Sequence, residues 1–357
     1  MLTFHMSKVY PAVGKIISPE SRLCGHFAAP MNRSGKLHAL LATARIANVP
    51  SVVSNVWLGV AIGIANKTPA GDGFSGPVIP WAQVLLLITA GICLYVAGNF
   101  MNDWMDFAWD RENRPERALP RGLFKREAYR NSASSLALVG VLLATLVNTS
   151  AGVVASMIVA FIVIYTIWHK RGAWTVIPMG LCRALLPMMG ALGMMGRKSN
   201  SLPEFIFTVM AAMIAGAALF CYVVGLSMSA RRESMPASTQ TPAISGELFF
   251  VITGLAALVP IKLTRQLTLP FLLAPLPYVT WLILCRTVFR KPIPKFVSAL
   301  LAGIPLIDWM LLIPYCLWNL GENTNRIPSH PLELISLSLP PLAFILALLL
   351  QRLAPAT

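Results

Sequence analysis

Ten apolar runs, each about 20 residues long, recur along this chain, and no other feature constrains its fold as strongly. A helix needs about 20 apolar residues to cross the hydrocarbon core of a bilayer. Only helices and closed barrels satisfy their backbone hydrogen bonds there. The runs lack the polar–apolar alternation of barrel strands. Composition agrees: 12% of the residues are charged, against about 25% in a soluble domain. The expected class is all-α, a polytopic integral membrane bundle. Its spans are expected at about 46–65, 80–101, 132–149, 151–168, 175–195, 204–228, 247–263, 268–289, 296–318 and 332–351.

In a soluble protein the net charge of +15 would suggest a nucleic-acid partner. In a membrane protein basic residues fix topology and meet anionic headgroups. The expected partner is therefore the lipid bilayer, with no nucleic acid. Residues 1–44 carry Lys8, Lys15, Arg22, Arg33 and Lys36 and read as a basic cytoplasmic segment. They lack the short apolar core and cleavage site of a secretory signal. Loops after the even-numbered spans are also basic: seven Lys or Arg between 102 and 130, Lys170 with Arg171, Arg231 with Arg232, and a group ending at Lys295. Those spans are expected to end in the cytoplasm. The six cysteines are scattered, without a CxxC pair or Cys/His cluster, so neither zinc nor a disulfide framework is indicated.

Charge is concentrated at the end of the second span, in NFMNDWMDFAWDRENRPERALPRG from Asn99 to Gly122. On a helical wheel Asn99, Asn102, Asp103, Asp106 and Asp110 share an arc of about 100°. Three carboxylates at i, i+3 and i+7 repel one another unless a cation joins them. Hard oxygen ligands of this kind suit Mg2+, which typically takes one or two carboxylates, substrate phosphates and water. Arginines follow at once, in a turn punctuated by Pro115, Pro120 and Gly122. There Arg114 and Arg117 suit the remaining oxygens of a diphosphate.

The segment NDWMDFAWDRENRPERALPRG resembles the first aspartate-rich motif of the UbiA-type intramembrane prenyltransferases, N-D-x-x-D-x-x-x-D followed by R-P-x-R-P-x-P-x-G. Asn102, Asp103, Asp106, Asp110, Arg114, Pro115, Arg117, Pro120 and Gly122 match it, while Ala118 stands where a second proline is usual. In the first span Arg45, Asn48 and Asn55 resemble the family's R-x-x-N and later Asn. The resemblance runs from about 45 to 318 and implies nine helices around a lipid-open cavity. The chain would then comprise the 1–44 segment, a 45–318 prenyltransferase domain, and a 319–357 tail carrying an added tenth helix. The resemblance also implies Mg2+ on Asn102, Asp103, Asp106 and Asp110, an isoprenyl diphosphate donor and a lipophilic acceptor. Asp103, Asp106, Arg114 and Arg117 would be its catalytic residues.

The family's second acidic motif, a D-x-x-x-D-like cluster, is rewritten here. At the end of the sixth span the chain reads YVVGLSMSARRES, from Tyr222 to Ser234, with Glu233 as its one acid. Arg231 or Arg232 can neutralise phosphate directly in place of a second metal, with Glu233 pinning one of them. The positive-inside rule alone also explains two arginines there. The pattern resembles a divergent branch found in bacterial biosynthetic clusters, the EboC-like proteins, which implies a bacterial cytoplasmic membrane and altered donor chemistry. Lys170, in YTIWHKR, resembles the family's lysine after helix four with a spacing one residue longer. It is a further candidate for the diphosphate. Arg183 lies inside the fifth run, where an ionised side chain usually faces a cavity or a partner. Asp308 in the ninth run is a candidate partner, and Asn55 suits either substrate or an interhelical hydrogen bond.

The expected function is Mg2+-dependent prenyl transfer within the membrane, from a site facing the cytoplasm. The rewritten second motif supports one alternative, a non-catalytic lipid-diphosphate binder or transporter. A CDP-alcohol transferase is disfavoured, because its D-G-x-x-A-R…G-x-x-x-D-x-x-x-D signature is missing.

Overall fold

Each of the ten expected spans has a helical counterpart. The structure, a computed structural model, describes residues 33–65, 78–168, 173–195, 202–234, 246–258, 272–317 and 330–353. Among them the order is α1 (Arg33–Thr43), a 3-10 turn (Ile46–Asn48), α2 (Val49–Ala65), α3 (Trp81–Met105), α4 (Phe107–Asn113), α5 (Arg126–Val147) and α6 (Thr149–Trp168). Then follow α7 (Val176–Met194), α8 (Leu202–Ser234), α9 (Gly246–Leu255), α10 (Leu276–Thr287), α11 (Ile293–Ala302), α12 (Ile304–Leu317) and α13 (Pro331–Leu353). Among the described residues eight segments are long and apolar enough to cross a membrane. The expected seventh and eighth spans contribute the shorter α9 and α10, and residues 259–271 between them lie outside the described set. Large apolar side chains such as Leu138, Leu142 and Leu146 on α5 are exposed at helical spacing, as a lipid-facing surface requires. The chain is an integral, multi-pass membrane protein.

Helix α2 occupies the middle of the bundle. It is apolar on all sides, and from Pro50 to Ile64 every residue except Val53 is buried. Its neighbours include α7, α3, α12 and α13. Contact with α7 is the tightest, because glycines on both helices let the backbones meet, as membrane helices do without a hydrophobic driving force between them. A Cβ placed on Gly59 would lie 1.9 Å from the Pro187 carbonyl oxygen, and one on Gly190 would lie 2.4 Å from that of Val56. Pro187 lacks an N–H, so the Arg183 carbonyl one turn earlier loses its intrahelical donor.

The expected ninth span is divided into α11 and α12. The division falls at Gly303-Ile304-Pro305, a helix-breaking sequence, with two side-chain donors beside it. Trp281 Nε1 donates to the Ala299 carbonyl at 2.9 Å and Tyr222 Oη to that of Leu300 at 2.7 Å. Both carbonyls also accept from Gly303 N, at 3.2 and 3.1 Å, so the side chains add a second donor to each, and Pro305, which has no N–H, withholds the intrahelical donor of the Leu301 carbonyl. Helix α13 packs against α2 and α12. It is tied by Trp57 Nε1 donating to Ser336 Oγ at 3.1 Å and by Gln351 Nε2 donating to the Ser298 carbonyl at 2.8 Å.

The α2–α7 contact yields a stability prediction. Gly59→Ala forces the two backbones apart and destabilises the protein by about 1–3 kcal/mol. Gly254→Ala, whose new methyl would meet its nearest neighbour at an ordinary 3.6 Å, stays near wild type. Thermal unfolding of the purified variants in detergent compares the two.

Candidate functional site

The acid-rich segment begins as the last turn of α3. Backbone bonds from Asp106 N to the Asn102 carbonyl (2.9 Å) and from Asp110 N to the Asp106 carbonyl (2.8 Å) carry the helical path across the junction into α4. This path preserves the shared face expected from the spacing. Asp106 and Asp110 are buried, and Asp103 is nearly so. The chain then turns, with bonds from Arg121 N to the Arg117 carbonyl and from Gly122 N to the Leu119 carbonyl. Gly122 has φ of +71°, a conformation that glycine adopts without the cost a Cβ imposes. Leu119 is clamped in a small apolar cluster with Phe100, Tyr129 and Ala133, and Tyr129 Oη lies 2.9 Å from Thr43 Oγ1. This cluster sets the return of the turn toward the acids.

Arg117 is the product of that return. Its Nη1 lies 2.8 Å from Asp110 Oδ2 and 3.4 Å from Asp103 Oδ1. One guanidinium thus spans two carboxylates that would otherwise repel. Arg114 goes elsewhere. It is exposed, with its guanidinium 5.6 Å from the centre of the Trp109 ring. Asn102 Nδ2 donates to Asp106 Oδ2 at 3.2 Å. Asn99, the fifth member of the predicted face, donates from Nδ2 to the Ala44 carbonyl at 3.0 Å and so anchors the chain entering α2.

The site offers oxygen to a hard cation. Asn102 Oδ1 and Asp110 Oδ1 are buried without a hydrogen-bond partner, a costly state for polar atoms. Among the described residues no three carboxylates, imidazoles or thiols converge as a ready-made cage. An amide oxygen, one or two carboxylates and oxygens brought by a ligand are nonetheless the set that Mg2+ commonly takes. The residues present fit such an ion.

Arg45 was noted in sequence only as part of a motif, yet its charge also acts on Asp103. It occupies the left-handed region at φ 47°, ψ 51°. Such a conformation costs a non-glycine residue about 1–3 kcal/mol. Tyr95 Oη, donating at 3.3 Å, and Asn48 N, at 3.0 Å, both hold its carbonyl. Tyr95, also missed from sequence, lies two helical turns before Asp103 on α3.

Deeper in the bundle the structure brings together Asn55, Arg183 and Asp308. Asn55 Nδ2 donates to both carboxylate oxygens of Asp308, at 3.0 and 2.8 Å, and Ser54 Oγ donates to Asp308 Oδ2. Arg183 Nη1 donates to Asn55 Oδ1 at 2.9 Å. The expected Arg183–Asp308 pairing therefore runs through Asn55.

The second motif is only partly visible. Arg231, Arg232 and Glu233 belong to the last turn of α8, but their side chains lie outside the described residues, as does Lys170. Of the preceding serines, Ser229 Oγ receives Arg286 Nη2 at 3.3 Å, and the same arginine pairs with Glu247 at 2.9 Å. Arg286 is a third residue that sequence reasoning passed over, since its loop position read as a topology signal.

Comparison with known proteins gives these features a context. The model of the UbiA prenyltransferase family matches residues 74–318. Digeranylgeranylglyceryl phosphate synthase of Thermococcus kodakarensis is 27% identical over 219 residues, 58% of this chain and 74% of that protein. The synthase of the same name from Methanoculleus marisnigri is 32% identical over 114 residues, 32% of this chain and 36% of that protein. Among solved structures, a UbiA homologue from Aeropyrum pernix in its apo form aligns with a TM-score of 0.57 and 15% identity, over 74% of this chain and 98% of that one. Helix α13 falls beyond the matched residues, whereas the acid–arginine site lies within them. With well over half of its length matched, this chain belongs to the UbiA prenyltransferase family.

Proposed function

We propose that this protein transfers an isoprenyl group from an isoprenyl diphosphate to a lipophilic acceptor, with Mg2+ at the end of α3. The carrying observation is Arg117 bridging Asp103 and Asp110 beside the unpartnered Oδ1 atoms of Asp110 and Asn102. Asn102, Asp103, Asp106 and Asp110 would hold the ion, which supplies positive charge against the diphosphate oxygens when bound. Arg117, relieved of balancing two acids, turns its donors to a phosphate oxygen and stabilises charge that grows on the leaving group. The allylic C–O bond breaks with its electron pair leaving on pyrophosphate, the acceptor's nucleophilic atom bonds to the same carbon, and the acceptor's proton passes to the released pyrophosphate. Apolar walls around the bundle interior keep water from the cation-like prenyl group.

Lys170, Arg231, Arg232 and Glu233 complete the diphosphate side in this reading, their roles resting on sequence position alone. The shared name of two relatives, digeranylgeranylglyceryl phosphate synthase, favours a long isoprenyl donor and a lipid acceptor. The basic loops around this site support a cytoplasmic orientation for it.

Two outcomes test the assignment. Asp103→Ala or Asp106→Ala lowers Mg2+-dependent pyrophosphate release from geranylgeranyl diphosphate, assayed with a host lipid extract, by at least about a hundredfold. The protein remains folded in membranes. Undiminished release by either purified variant overturns the metal site. In the same assay Arg117→Ala loses about ten- to a hundredfold, whereas Arg114→Ala, with its side chain on Trp109, stays within about threefold. Equal losses for the two arginines would show that Arg117 has no special place.

A further inference from the structure

Among the described residues Arg286 is the fastening nearest the end of α8, and the prenyl-transfer chemistry makes no use of it. It belongs to the last turn of α10, yet its guanidinium reaches three other helices. Nη2 donates to Ser229 Oγ of α8 at 3.3 Å, and Nη1 pairs with Glu247 Oε1 of α9 at 2.9 Å. The guanidinium carbon stands 5.4 Å from the centre of the Phe296 ring of α11 and 5.8 Å from that of Phe250 of α9. A planar guanidinium suits both uses at once, donating from its edge and stacking on its faces.

The helices under this arginine meet without side chains between them. A Cβ on Gly225 would lie 2.9 Å from the Gly246 carbonyl oxygen, and one on Gly246 would lie 2.6 Å from that of Gly225 and press on Ser229 Oγ. The start of α9 is thus seated against α8 between Gly225 and Ser229. Deeper in the bundle α8 is already secured. Tyr222 Oη donates to the Leu300 carbonyl at 2.7 Å, and Thr253 Oγ1 donates to that of Ala218 at 3.2 Å. Tyr222 precedes Ser229 by seven residues, about 10 Å of helical rise. The side chains of Arg286 and Glu247 are 32% and 51% exposed, and ion pairs this open add little to global stability. What Arg286 controls is therefore direction: it fixes the turns of α8 beyond Tyr222, which end at Ser234. Those turns carry Arg231 and Arg232. At about 100° per residue, position 231 falls on the far side of α8 from Ser229, so holding the Ser229 side sets where the opposite side faces.

We propose that Arg286 is a positioning residue for the isoprenyl diphosphate: by tying Ser229 to Glu247 it holds the last turn of α8, with Arg231 and Arg232, where the diphosphate is received. The inference rests on the prenyl-transfer reading for the ligand, and on the contacts of Arg286 for the geometry. Arg286 acts through α8 and does not itself grip the donor, its charge being paired with Glu247.

The test uses full-length protein in detergent, with geranylgeranyl S-thiolodiphosphate and Mg2+ as the probe and equilibrium dialysis as the measurement. Arg286→Gln weakens binding about tenfold, and Glu247→Gln weakens it about threefold. The sign for Glu247 discriminates. An Arg286 that gripped the diphosphate itself would be freed by Glu247→Gln, and the tighter binding that follows would overturn the proposal. With Arg231→Gln and Arg232→Gln already in place, adding Arg286→Gln changes the dissociation constant by less than about twofold. An undiminished tenfold loss in that background means that Arg286 acts apart from the end of α8, and overturns it too. Hydrogen exchange gives a readout that needs no ligand. In Arg286→Gln the backbone amides from Ser229 to Ser234 exchange at least about fivefold faster, while those around Tyr222 keep their wild-type rates. Equal acceleration along the whole of α8 would make Arg286 a general brace of the bundle and overturn the proposal. Binding by wild type with no loss in Arg286→Gln defeats this inference alone, whereas absence of binding by wild type defeats the prenyl-transfer reading with it.

Discussion

Inside a bilayer an ionised side chain is stabilised only by what the protein places beside it, and the polar interior of this bundle is arranged around that constraint. Among the described residues the buried carboxylate and guanidinium side chains are those of Asp106, Asp110, Arg183 and Asp308. They fall in two places, each internally compensated. At the end of α3 Arg117 lies between Asp103 and Asp110. Farther in, Asn55 joins Arg183 to Asp308. The first arrangement is reached from the membrane face, and Arg117 retains 22% of its side-chain exposure. Its compensation is therefore open to exchange with groups that arrive from outside the bundle. The second is closed, with Asp308 and Asn55 at 0% exposure.

The closed arrangement depends on a contact with no polar atoms in its side chains. Asn55 can reach both α7 and α12 only because α2 runs through the centre and meets α7 backbone to backbone. Gly59 lies one turn beyond Asn55, and Pro187 lies one turn beyond Arg183. The two turns touch where neither Gly59 nor the carbonyl of Pro187 leaves room for a Cβ. A larger residue at Gly59 would move Asn55 away from Arg183 and separate two charges that are held together by one amide. Packing and electrostatics are thus a single problem at this depth, and the small-residue surface of α2 solves both parts.

The fold was legible in the sequence because a bilayer imposes one length on every crossing element. Among the described residues eight of the ten runs are matched on that basis, and the seventh and eighth by the shorter α9 and α10. The division at Gly303 was not anticipated, although Gly303 followed by Ile304 and Pro305 in LAGIPLI is a break signal. An unbroken apolar run hid it, and the side chains that tolerate the break, Trp281 and Tyr222, come from other helices. At the candidate site the acids were legible for a local reason, since their spacing alone puts them on one face. The arginines were not. Whether Arg114 or Arg117 faces the acids depends on how the Pro–Gly turn closes, and that is set by Leu119 entering the cluster of Phe100 and Tyr129. Asn99 was read as part of the acidic face, but its partner is the carbonyl of Ala44, far away in sequence. Asp308 was named as a partner for Arg183, and the mediating amide required a distance no spacing rule supplies.

The two polar places are joined through Tyr95, and this connection explains why a strained residue persists between them. The Tyr95 ring faces Arg183 while its hydroxyl donates to the carbonyl of Arg45. Arg45 is left-handed, and its charge acts on Asp103. A conformation costing about 1–3 kcal/mol survives only where its surroundings hold it, and three elements do so: Tyr95 from α3, Asn48 from the following turn, and α1 through the bond from Arg45 N to the Ala42 carbonyl. Relaxing Arg45 to an ordinary backbone would change the direction in which the chain enters α2. Asn99 fixes that same entry from the other side through Ala44. Arg45 is therefore also the residue whose backbone sets the start of the central helix, so the position of Asn55 at depth and the charge around Asp103 both depend on one short turn.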